Sequence, residues 1–210
     1  MTDIHFQHTD SGQAPVPVGQ SYHALLTPLF WRLLACLLLS FLVICTAWSV
    51  RAEVPQERNI KAAFIAKFIG YIDFPVAEAG SAEMHLVIGV LGADDVAADL
   101  TRQVTGRSIN GRTVTVKTIA PREKLDGLHI LFIGVAESDS AEKPLRNAAA
   151  LGILSITEFD SGMRLGSVIN FRMVDDRVRF EVSLPAAEKA GLKLSSRLLS
   201  VAYLVQKAAP

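Results

Sequence analysis

Cysteine is nearly absent from this chain, and where its two copies fall decides what they exclude. Cys36 and Cys45 both lie in an apolar stretch near the amino terminus. If that stretch is a leader that is removed, the remaining chain holds no thiol, which excludes disulfides, metal–thiolate sites and thiol catalysis. Histidine is scarce too. Of five, only His85 and His129 lie beyond the leader, and neither has Asp, Glu or Cys at ligand spacing. His129 is read as a structural histidine rather than a metal ligand. No excess of either charge is present: 21 Lys and Arg balance 21 Asp and Glu, with no basic run, so nothing favours a nucleic-acid partner. There is no G-x-S-x-G, H-E-x-x-H, C-x-x-C or phosphate-binding glycine motif. Gly89 and Gly92 do not complete a dinucleotide fingerprint. No Ser-His-Asp or Cys-His set can be assembled, and no cofactor is implied.

What is there begins with an uncharged run, Leu33 to Trp48, preceded by Arg32 and followed by Val50-Arg51-Ala52. Sixteen residues are short for a membrane span and suit the apolar core of a signal peptide. The expectation is cleavage after Ala52, so that residues 1–52 form a leader and residues 53–210 a single exported domain. The segment before the run is long and partly acidic, and an uncleaved anchor is the rival reading. A domain of 158 residues buries a sizeable core without staples.

The domain opens with an apolar helix expected over Glu57 to Phe74. Ile60, Phe64, Phe68 and Ile72 recur at i, i+4 and Pro75 ends it. A helix this apolar is buried on two sides or meets another chain, so Phe64, Phe68 and Tyr71 are candidate partner contacts. Leu86 to Leu91 and Leu128 to Val135 are continuous apolar runs that suit strands buried on both faces. Thr113 to Ile119 alternates, after a turn at Asn110-Gly111, and Ile153 to Ile156 is a further short strand. Helices are expected over Val96 to Val104, with Asp94 as N-cap, and over Ser138 to Leu151, with Gly152 just past its end. Near the carboxyl terminus, a short helix over Pro185 to Ala190 precedes a last one capped by Ser195 or Ser196, with Leu198, Leu199, Ala202 and Val205 as its buried stripe.

The most informative stretch is Gly166 to Leu184. Two alternating runs flank Asp175-Asp176 and read as a β-hairpin. With those two residues as the loop, Phe171 faces Phe180, Asn170 faces Glu181 and Arg172 faces Arg179. Two opposed arginines repel unless an anion intervenes. Glu181, diagonal to Arg172, can supply it from within; a ligand or partner can supply it from outside. Asn170, Arg172, Arg179 and Glu181 are therefore either a solvated structural network or an anion-binding patch. Together these elements imply an α/β fold: one domain, a mostly parallel, mixed sheet with helices on both faces and a C-terminal antiparallel hairpin.

Three stretches carry a resemblance. IKAAFIAKFIGYIDFP, HILFIG and GSVINFRMVDDRVRFEVSLPAAEKAGLKLSSRLLSVA resemble the first helix, a central strand and the closing signature of the YfiR family of periplasmic regulators. Ser183 stands where that family usually has Asn. The disulfide-forming cysteines of some members are missing here, so redox control is not carried over. The resemblance implies a protein without enzymatic activity that binds the periplasmic part of an inner-membrane diguanylate cyclase and holds it inactive, so that its release raises cyclic di-GMP and favours biofilm. Other members stand beside sensor kinases or outer-membrane receptors. A homodimer is compatible with this reading, and contact with the membrane would come only through the partner or an uncleaved leader. The alternative function is a periplasmic module that senses a small anion and acts on a sensor kinase or receptor. A hydrolase with an unrecognised carboxylate site is the weakest reading.

Overall fold

The structure is a computed structural model, described here for residues 53–75 and 85–208. The expected leader and its cleavage point lie outside the described residues. Helix α1 (Glu53–Phe68) leads into a two-residue strand β1 (Ile72–Asp73). Then come β2 (His85–Leu91), α2 (Asp94–Val104), β3 (Ser108–Ile109) and β4 (Arg112–Thr118), followed by β5 (Ile130–Ile133). A 3₁₀ segment, Val135–Ser140, precedes α3 (Glu142–Ala150) and β6 (Leu154–Thr157). The hairpin strands β7 (Ile169–Val174) and β8 (Arg177–Ser183) are followed by α4 (Leu184–Lys189), β9 (Lys193–Leu194), α5 (Ser196–Val201) and β10 (Leu204–Gln206).

Eight strands form one mixed sheet in the order β10-β8-β7-β6-β5-β2-β4-β3. Its middle five, β4-β2-β5-β6-β7, are parallel. In chain order they run second, first, third, fourth, fifth, the arrangement of flavodoxin-like doubly wound sheets. The continuous apolar runs work as expected. Ile130 and Phe132 face one core, and Leu131 and Ile133 face the other. The larger core packs α1 and α2 on one face, where Phe68 touches Phe64, Phe171 and Phe180 with ring centroids 5.0 to 6.0 Å apart. Buried Asp99 on α2 meets Arg58 of α1 at 3.2 Å and so ties the two helices. The opposite face is covered less uniformly. One helix, α3, packs there, and residues 119–129 and 158–168 cross from β4 to β5 and from β6 to β7 without an α-helix.

The hairpin has the expected register throughout, from Ile169–Val182 to Val174–Arg177. Asp175 and Asp176 both take positive φ, 49° and 56°, the left-handed pair that a tight two-residue hairpin loop needs.

Four local expectations are corrected. The first helix stops at Phe68 instead of reaching Phe74, because Gly70 is a poor helix former and Ile72–Asp73 pairs with β9. The last helix stops at Val201, and Ala202 turns extended (ψ 140°). Residues 204–206 then gain a parallel ladder along β8, which a final helical turn would not supply, so Val205 belongs to an edge strand. Asp94 is the first residue of α2 and not its cap, since the capping position is Ala93, without a side-chain bond. The expected helix over Ser138 to Leu151 is shorter, because residues up to Ser140 belong to the 3₁₀ segment and α3 runs only from Glu142 to Ala150. Ser195 does cap α5, accepting from Leu198 N at 3.2 Å.

Phe68 is 2% exposed and Tyr71 38%. Phe68→Ala is expected to lower stability by about 3–5 kcal/mol. Tyr71→Ala should stay within about 0.5 kcal/mol, as for an ordinary surface substitution. Urea denaturation followed by circular dichroism measures both.

Candidate functional site

The face of β6, β7 and β8 turned away from α1 carries polar side chains where the other strands carry leucine and isoleucine. Ser155, Thr157, Ser167, Asn170, Glu181 and Ser183 are all buried. The connection from Glu158 to Gly166 covers part of this seam, since no helix follows β6. Gly162 allows the close approach: a Cβ there would strike Thr157 Oγ1 and stand 2.7 Å from Asn170 Oδ1. Each group finds partners, as burial requires. Ser167 Oγ donates to the Ile169 carbonyl at 2.6 Å, and Ser155 Oγ accepts from Val168 N at 3.1 Å. The Asn170 amide can face either way. Turned to the loop, its nitrogen reaches the carbonyl oxygens of Thr157 (3.3 Å) and Phe159 (3.1 Å). Turned to Glu181, it donates to one carboxylate oxygen at 3.4 Å. The loop-facing orientation makes more and shorter bonds, and it leaves Glu181 to be compensated by Arg172.

Arg172 performs that compensation. Its guanidinium donates to Glu181 Oε1 at 3.4 Å and lies 3.8 Å from Asp160. Arg179, directly opposite on β8, is exposed and has no ion pair among the described residues. The four residues of the expected patch thus divide. Asn170 and Glu181 lie inside, while Arg172 and Arg179 reach outward, with Glu181 supplying the anion from within. Next to Arg172 is a small hollow of about 210 Å³ bordered by Glu57, Lys61, Glu158 and Asp160. Its charges already pair. Lys61 Nζ lies 2.7 Å from Glu158 and 2.5 Å from Glu57. Burial pushes the Lys61 pKa down, but its hydrogen bonds to Glu158 and Glu57 outweigh that, and the net direction is up. Such a hollow is smaller than ordinary ligand pockets.

The aromatic candidates divide as well. Phe68 is buried and Phe64 is half-buried against Phe171 and Phe180, so both hold α1 on the hairpin. Tyr71 alone of the three is exposed. The sequence reading missed a different apolar group. Val201, Tyr203 and Leu204 are 66%, 57% and 52% exposed, where the chain enters β10. The sequence reading placed this segment in a helix with Leu198, Leu199, Ala202 and Val205 as its buried stripe, and these three residues lie off that stripe.

His129 lies immediately before β5 and outside it. Its Nδ1 accepts from Val87 N at 3.2 Å and its ring meets the Phe74 ring edge-on. Among the described residues no group of three potential metal ligands gathers around it or elsewhere.

A family model described as YfiR/HmsC-like matches residues 58–203, nearly the whole described domain. The chain belongs to the YfiR/HmsC-like family. No helix among the described residues is long and apolar enough to cross a membrane. The fold is also similar to the crystal structure of a conserved domain protein from Vibrio cholerae O1 biovar eltor. The TM-score is 0.52 at 10% identity, over 71% of this chain and 60% of that one. At that identity the likeness concerns the fold alone, and this chain spans less than two thirds of that protein.

Two predictions follow from the charged groups of this YfiR/HmsC-like chain. Arg172→Ala strands the buried Glu181 carboxylate and is expected to lower stability by about 1 kcal/mol, the low end for an unsatisfied buried charge, because Arg172 is 45% exposed and water screens the pair. Arg179→Ala removes the facing charge and should be neutral or slightly stabilising. Paired urea titrations decide between this order and its reverse. For His129, burial pushes the pKa below 6.5, aided by the His85 and Arg112 charges. A lowered native pKa means the unfolded chain binds the proton more readily. Stability from the neutral ring is therefore complete above about pH 6.5 and is lost as pH falls through the native value. Melting temperatures from pH 8 to 5 should fall more steeply for the parent chain than for His129→Gln.

Proposed function

We propose that this chain is an exported regulator that binds the periplasmic part of an inner-membrane diguanylate cyclase and holds it inactive, keeping cyclic di-GMP low and opposing biofilm. In this reading residues 1–52 direct export and are removed after Ala52, and the domain from 53 to 210 acts in the periplasm. The observation that carries it is the YfiR/HmsC-like match over residues 58–203. The domain itself supports a binding role. At its edge strand β10, Val201, Tyr203 and Leu204 expose a consecutive apolar stretch. Beyond β10 no further strand pairs among the described residues, so backbone donors and acceptors are open as well. An edge of this kind receives a partner segment by strand addition, with apolar side chains adding area.

Tyr71 is a second contact candidate, whereas buried Phe68 and half-buried Phe64 pack against the hairpin. Inhibition of this kind requires that the chain prefer the inactive state of its partner. Moving an equilibrium from 1:99 to 99:1 takes about a 10⁴-fold difference in affinity.

The test is genetic and biochemical together. Deleting the gene in its host should raise cyclic di-GMP, and restoring the parent chain should lower it again. Tyr203→Asp with Leu204→Asp, at matched periplasmic protein level and unchanged melting temperature, should fail to restore repression and lose co-purification with the cyclase. Unchanged cyclic di-GMP on deletion removes the inhibitory reading. Full complementation by the double variant moves the contact away from β10, with Tyr71→Asp as the next variant.

A further inference from the structure

A crevice of about 780 Å³ opens at the carboxyl ends of β2 and β4, between residues 119–125 and the first turns of α3. We propose that this crevice binds a small organic anion, a carboxylate or phosphate head on an apolar body. The inference goes beyond the regulatory reading and does not depend on it.

Four observations converge. The first is position. In doubly wound sheets ligands sit outside the carboxyl ends of the strands, near the point where the winding reverses. Here that point lies between β2 and β5. It is sealed by backbone, since Gly134 N donates to the Leu91 carbonyl at 2.8 Å and a Cβ on Gly134 would strike the Gly92 carbonyl. The open space is displaced one strand, to the β2–β4 side, and exists because residues 119–129 cross there without an α-helix. The second is size, since the volume falls among ordinary small-molecule pockets, between roughly 300 and 1,000 Å³.

The third is charge and polarity. Arg122, Lys124 and Lys143 line the crevice, and none of them has an ion pair among the described residues. The one acidic lining residue, Glu123, is already engaged. It accepts from Ala120 N at 2.9 Å and lies 3.9 Å from Lys117 Nζ. Leu91, Ile119 and Leu125, all buried, supply an apolar floor. A cationic rim over an apolar floor matches a ligand with a charged head and an apolar body.

The fourth is backbone strain. Ala120 to Glu123 form a turn closed by Glu123 N to the Ala120 carbonyl at 3.0 Å. Pro121 occupies its second position. The third position has φ +75° and is Arg122, where a turn of this form ordinarily takes Gly or Asn. An arginine held there is strained, and such strain in an L-residue gathers at ligand-binding sites. The guanidinium has no hydrogen bond or ion pair among the described residues, and it borders the crevice.

The strain also provides a clean test. Arg122→Gly relaxes the turn while removing the charge, so it should raise the melting temperature of the free protein and weaken the ligand. Octanoate and octyl phosphate serve as probes, with octanol as the neutral control, each titrated into the full exported chain by calorimetry and by amide chemical shifts. Both anions should bind at least tenfold more tightly than octanol, with shifts confined to residues 119–125 and 140–147. Arg122→Gly and Lys143→Ala should each weaken the anions at least fivefold. The proposal is overturned if octanol binds as well as the anions, if the shifts map elsewhere, or if the more stable Arg122→Gly variant binds undiminished. Cyclic di-GMP repression is read separately, so a failure here leaves the regulatory reading standing, and the reverse also holds.

Discussion

The contact on which the rest of this structure depends is Phe68 of the first helix against Phe171 and Phe180 of the hairpin. The two hairpin rings lie side by side only in one register, because a slip of a single residue turns every side chain of a strand to the opposite face. With that register set, α1 has one way to lie across the sheet. Phe64 closes the cluster, and Lys61, two turns from Phe68 on the same helix, meets Glu158 beyond β6. The same slip would carry Asn170 and Glu181 into the aromatic core, unsatisfied. Aromatic burial on one face and polar satisfaction on the other therefore specify the same pairing.

The two faces of the sheet are built differently, and the difference creates the surfaces of interest. One face is covered by α1 and α2 and is uniformly apolar. On the other, α3 is flanked by two connections that lack helices. Beneath residues 158–168 the strands carry a sealed polar seam, with Gly162 pressed onto Thr157 and Asn170. Around residues 119–125 the covering is incomplete, and the cationic crevice remains. The two loops thus have opposite outcomes. One folds back on its own hydrogen bonds and excludes water; the other holds an arginine in a left-handed turn above open space. A doubly wound sheet with its full set of helices would have neither feature.

The regulation proposed for this chain would need no chemistry, only a surface that distinguishes two states of a partner. The carboxyl-terminal stretch suits that role because it is the outer edge of the sheet. β10 runs parallel to β8 and has its other side free among the described residues, while Val201, Tyr203 and Leu204 stand exposed around it. A site for a small anion some distance away, on the far side of the five parallel strands, would let a soluble signal and a protein partner act on one rigid sheet.

By itself the sequence determined much of this. Alternation in Ile169–Val182 set the hairpin and each of its pairs, because side-chain period 2 leaves one register that buries Phe171 and Phe180 together. Continuous apolar runs set the central strands, because only strands covered on both faces tolerate them. The closing signature set the family. Tertiary structure decided what local pattern leaves open. Phe68 became core and Phe64 lies half-buried against the hairpin, because burial depends on what lies opposite and periodicity gives only direction. Residues 204–206 became a strand because β8 offered a vacant edge, a partner 23 residues earlier in the chain. The crevice was invisible for the same reason. Arg122, Lys124 and Lys143 belong to two segments that only the folded sheet brings together, and the strain at Arg122 is a property of backbone geometry that no spacing of residue types displays.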